Sequence, residues 1–114
     1  MKTKVLALLA AVALTACGDG DFTGRYDVVY EVTGSAQSAS LTWATTGGGT
    51  SQQTVNLPWN IKYTMRDGDF VYISAQNQGK TGSVTTTIKA DGKTFKSTTS
   101  TGAYVIATAS GSCC

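Results

Sequence analysis

The chain has no histidine, only one proline and three cysteines, and a single glutamate, Glu31. Without histidine there can be no Ser-His-Asp or Cys-His nucleophilic site, and the commonest zinc ligand is missing. The cysteines, Cys17, Cys113 and Cys114, show no Cys-x-x-Cys spacing. No phosphate-binding P-loop or dinucleotide fingerprint occurs. Gly47-Gly48-Gly49 reads as a hairpin loop, because no helical period follows it. Asp67 and Asp69 flank Gly68 in a turn; a calcium loop needs about six oxygens and a denser acidic cluster. Glu31 falls on the polar face of a strand with no evident partner to tune it as an acid or base. Serines and lysines are present, but nothing in the sequence brings a pair together. The expectation is a protein that is not an enzyme and has no metal or cofactor.

The start of the chain is informative. Lys2 and Lys4 precede an apolar run at residues 5–14 (VLALLAAVAL), too short for a bilayer that needs roughly 20 residues. Leu14-Thr15-Ala16-Cys17 follows. Positive start, short apolar middle, small residues and a cysteine together have the form of a lipobox. Residues 1–16 are therefore expected to be a cleaved lipoprotein signal. The Cys17 thiol would carry the lipid, and its amine would become the new N-terminus. The expected location is the cell membrane or outer membrane, anchored through lipid on Cys17 and facing the extracytoplasmic side. The full chain has nine Lys and Arg against seven Asp and Glu. Loss of Lys2 and Lys4 balances the two signs. No basic stripe remains, so nucleic acid and anionic lipid are poor partners.

Residues 17–25 read as lipidated cysteine and tether, 26–108 as the domain, and 109–114 as a frayed tail. In the domain, apolar and polar residues alternate with period two. Tyr26, Val28, Tyr30 and Val32 form one face of a first strand; Ala39, Leu41 and Trp43 form one face of a second. Further strands are expected near 51–57, from Trp59 to Met65, at 70–75 (FVYISA), at 83–90 (SVTTTIKA), at 93–100 (KTFKSTTS) and at 103–108 (AYVIAT). Asp67-Gly68 and Asp91-Gly92 are hairpin turns. The strand at 93–100 is mostly polar, and Lys93 and Lys96 suit an edge. The pattern predicts an all-β fold, a small antiparallel two-sheet β-sandwich of seven or eight strands, with a small β-barrel as the alternative. The expected core is Val28, Tyr30, Val32, Leu41, Trp43, Val55, Leu57, Trp59, Ile61, Tyr63, Val71, Ile73, Val84, Ile88, Val105 and Ile106. Trp43 and Trp59 are the candidate binding residues. Both are read as core, Trp59 filling the bend that Pro58 makes. Ser40 and Thr42, outward neighbours of Trp43, are small and uncharged and could admit a partner. A bond between Cys113 and Cys114 closes only a strained ring and is the less favoured state.

Three ordered segments carry a resemblance: residues 29–34 (VYEVTG), Leu57-Pro58-Trp59, and residues 100–103 (STGA) after residues 88–93 (IKADGK). In order and spacing they resemble the extracytoplasmic domain of the MmpS family, small membrane-anchored accessory proteins of the RND-type exporters called MmpL. The resemblance covers roughly Tyr26 to Thr108. It implies a small β-sandwich and a transporter or other envelope protein as partner. The chain departs from the family in two ways. Members usually carry an uncleaved transmembrane helix where this chain has a lipobox. Many also place a cysteine early in the strand that here begins Ser83-Val84, paired with one near the C-terminus; here that strand has none. Two functions follow as expectations. The first is an interaction module with a filled core and an apolar surface patch. The second is a lipoprotein that holds a hydrophobic or sugar ligand between its sheets or on exposed aromatics, marked by a cavity of roughly 300 Å³ or more.

Overall fold

A computed structural model describes residues 24–114. The signal, Cys17 and most of the tether lie outside the described residues. Eight strands follow in order: β1 (Arg25–Thr33), β2 (Ser38–Ala44), β3 (Thr50–Asn56), β4 (Trp59–Arg66), β5 (Phe70–Asn77), β6 (Ser83–Ala90), β7 (Lys93–Thr101) and β8 (Ile106–Ser112). They form two antiparallel sheets with orders β4-β1-β6-β7 and β3-β2-β5-β8. The sheets stay separate, so the fold is the sandwich and not the barrel.

Alternation in the sequence becomes alternation of burial. Val28, Tyr30 and Val32 of β1 are fully buried, and opposite them lie Ala39, Leu41 and Trp43 of β2 and Val71, Ile73 and Ala75 of β5. Val84 and Ile88 of β6 and Ala107 and Ala109 of β8 complete the layer. Each large side chain so buried contributes roughly 1.5–3 kcal/mol before ordering entropy is set against it. β7 lies at a sheet edge, as its lysines suggested.

Five expectations need correction. Val55, Leu57, Trp59, Ile61 and Tyr63 pack against the core but are only partly buried, because β3 and β4 are edge strands. Ile106 points outward and is 54% exposed. The last strand begins at Ile106, not Ala103, because residues 102–105 turn back on the loop after β5: Tyr104 donates its N–H to the Gly79 carbonyl and Asn77 to that of Val105. Residues 109–112 are ladder rather than tail, and Cys113 is buried. Cys113 and Cys114 are bonded to each other, the state that ring strain disfavours.

Candidate functional site

The two candidate tryptophans meet between the sheets. Trp43 on β2 and Trp59 on β4 bring their ring centroids to 4.8 Å, tilted by 48°. The Trp43 indole N–H donates to the Tyr63 hydroxyl at 2.9 Å, and the Tyr63 ring meets Tyr30 edge-on at 6.0 Å. The Tyr30 hydroxyl donates to the Ala44 carbonyl at 2.7 Å and accepts the Tyr72 N–H at 3.4 Å. Burial pushes the Tyr30 phenol from 10.0 up to about 12. This cluster ties one sheet to the other: the indole N–H is satisfied within it, and the Tyr30 hydroxyl by backbone of the facing sheet. Trp43 is buried, and Trp59 is half-buried and packed against the core.

Four open clefts among the described residues lie at the ends of the sandwich. One of about 340 Å³ runs from Ala44 past Gly47 and Gly48 to Asp69 and Phe70. A second, of about 440 Å³, adjoins it and adds Arg25 and Arg66. A third, of about 290 Å³, lies between Tyr26, Phe95 and Cys114. A fourth, of about 330 Å³, is walled by Ser35, Asn77 and Gly79. Loops and strand ends wall all four, and the third also meets Tyr26, Phe95 and Cys114 where they pack against the core. The turn carboxylates are engaged locally: Asp69 accepts the Arg66 N–H at 2.8 Å and Asp67 that of Cys114 at 3.4 Å. Glu31 pairs with Lys89 at 3.3 Å, a partner that the sequence did not disclose.

The two outer faces differ sharply. That of the β4-β1-β6-β7 sheet carries Asp27 with Lys62 and Glu31 with Lys89. Its β6 and β7 rows are joined through hydroxyls, Thr85 to Thr99 at 2.8 Å and Thr87 to Ser97 at 3.2 Å. The other sheet contains no Lys, Arg, Asp or Glu in any of its four strands. Its outer face presents Ser40 and Thr42 from β2, Gln52 and Thr54 from β3, Ser74 and Gln76 from β5, and Thr108 and Ser110 from β8. Phe70, 59% exposed, and Tyr72 stack at one corner with centroids at 5.9 Å. Ser40 and Thr42 are thus a fragment of a larger surface, and the sequence pattern did not mark Phe70 and Tyr72 as part of it. The signal was available as strands without charge, but only once those strands are known to share a sheet. No protein-family model matches the chain, and no curated protein matches it.

Proposed function

We propose that this protein is a lipid-anchored extracytoplasmic interaction module, held at the cell envelope through Cys17, that docks an envelope protein on the uncharged face of its β3-β2-β5-β8 sheet. The carrying observation is that face: four strands without a charge, with stacked Phe70 and Tyr72 at its corner, over a core that side chains fill. An uncharged sheet surface costs less to desolvate than a charged one, and aromatic side chains are favoured in interface cores. On the resemblance to MmpS proteins, the partner would be an RND-type transporter or another envelope protein, and the sandwich is the fold that resemblance implies. The competing reading is a carrier that holds a hydrophobic or sugar ligand between the sheets or on exposed aromatics. The clefts described above lie at the ends of the sandwich, and the stacked Phe70 and Tyr72 would serve either reading; the uncharged sheet around them favours the first.

Two measurements test the reading. Mass spectrometry of the membrane fraction should find Cys17 as a lipidated N-terminus, and Cys17→Ser should leave the signal uncleaved and the lipid absent. A photo-crosslinking residue at Tyr72 should join the protein to a defined membrane protein in intact cells, whereas the same residue at Thr99, on the opposite face, should not. An unmodified Cys17, or equal crosslinking from both faces, defeats the proposal.

A further inference from the structure

The backbone at the edge of the uncharged sheet leads to a second surface. An edge strand presents unpaired N–H and C=O groups, and proteins usually guard such edges with charge, proline or a covering segment. The sandwich has four edges. β4 carries Lys62 and Arg66, and β7 carries Lys93 and Lys96. β8 has no charge but has β7 beside it: the Phe95 ring packs on the inner side of Gly111, and the Ser100 hydroxyl donates to the Ile106 carbonyl at 2.8 Å. β3, Thr50–Asn56 (TSQQTVN), has neither charge, proline nor cover among the described residues.

The phase of its ladder can be read. Thr45 donates to the Gly49 carbonyl at 2.9 Å and Leu57 to that of Gln37 at 3.1 Å. Hydrogen-bonded pairs alternate in an antiparallel ladder, so Ser51, Gln53 and Val55 bond to β2. The N–H and C=O groups of Thr50, Gln52, Thr54 and Asn56 therefore face the free edge.

We propose that β3 pairs antiparallel with β3 of a second copy of this chain, making one continuous sheet across a two-fold axis at Gln53. In that register Gln52 exchanges backbone bonds with Thr54 of the second copy, and Thr50 with Asn56 of the second copy. All the outward-facing groups of the strand are thereby satisfied. Gln53 lies opposite its own copy in a non-hydrogen-bonded pair, where amide side chains can bond across the axis. A strand without charge is its own complement, whereas β4 and β7 would each set cation near cation. The β4 cations do not oppose this pairing, because Lys62 and Arg66 lie on the outer face of the other sheet. The dimer does not depend on the lipid anchor or on the identity of an envelope partner.

The test uses the full chain in detergent, with sedimentation as the readout and reductant present to exclude linkage through cysteine. Wild type should be a dimer. Gln53→Lys places like charges directly opposite each other and should weaken dimerisation about tenfold or more; Gln53→Glu should do the same. Mixing the two variants should restore the dimer, which a merely damaged fold would not do. Without reductant, Gln53→Cys should form a disulfide between the two copies at that position, since the Cα separation at such a pair, about 4.5 Å, suits one. A wild-type monomer overturns the proposal. So does a dimer indifferent to Gln53→Lys, failure of the mixture to re-associate, or absence of the crosslink in the Gln53→Cys variant.

Discussion

Tyr30 shows what a single side chain does in this core. Its ring is fully buried, and its hydroxyl serves the Ala44 carbonyl and the Tyr72 N–H, one residue from each of two strands of the facing sheet. Tyr30→Phe keeps the ring but leaves both groups unpaired, and should cost about 1–3 kcal/mol at neutral pH in a urea melt. The raised pKa adds a signature. Unfolded, the phenol ionises near pH 10; folded, it holds its proton to about 12. The unfolded state therefore binds fewer protons in that window, and stability falls as pH rises through it. Below pH 10 the contribution is intact. The Phe variant should lose less stability than wild type between pH 10 and 12, and equal slopes would count against this role. Other residues are legible in kind but not in degree. Trp59 belongs to the core by pattern and does pack against Trp43, yet it is half-buried because β4 is an edge. Thr86 is absent from the expected core because its type is polar. It is fully buried between Val84 and Ile88, with its hydroxyl unpartnered.

At the scale of elements, strands are the most legible feature, for a local reason: period two and Asp-Gly turns are written in neighbouring residues. The pattern places both ends of β6 to the residue. It does not do so for β8. Tyr104, Val105 and Ile106 are the bulky residues there, but the inner face of β8 needs small ones, Ala107 and Ala109, with Gly111 against the Phe95 ring. What starts β8 late is distant in sequence. The buried Asn77 side chain donates to Thr81 and Gly102, both at 2.9 Å, and accepts from Gly79 at 2.8 Å, fixing two loops at once. The β1–β2 connection is equally specific. Gly34 has φ +134°, and a Cβ there would lie 2.2 Å from the Ser83 carbonyl oxygen, which β6 holds in place. Gly34→Ala should therefore cost about 2–4 kcal/mol. Gly47→Ala, at φ +91° with open space around it, should cost only about 1 kcal/mol. Thermal melts of the two variants compare steric approach with backbone conformation; equal losses would mean that Gly34 is held only by its φ.

At the scale of the whole molecule, sheet membership was beyond the sequence. Alternation tells which side chains of a strand share a face, but not which sheet the strand joins. The charge difference between the two sheets appears only after the strands are sorted. The candidate surface was accordingly legible only at Ser40 and Thr42. The chain end raises the last question of stability, because Cys113 and Cys114 are bonded with a sequence separation of 1. A disulfide stabilises mainly by closing a loop in the unfolded chain, and adjacent residues close almost none. What fixes the chain end is backbone: Cys113 donates to the Asp69 carbonyl at 2.7 Å and accepts from the Gly68 N–H, joining it to the β4–β5 turn. The Cys113 side chain is itself buried. Reduction should thus leave the melting midpoint within about 4 °C of the oxidised protein, a change of less than about 1 kcal/mol. Ending the chain after Ser112 removes the two backbone bonds and the buried side chain, and should lower the midpoint by clearly more. If reduction proves as costly as truncation, the bond between the cysteines, not the backbone ladder, holds this end of the sandwich together.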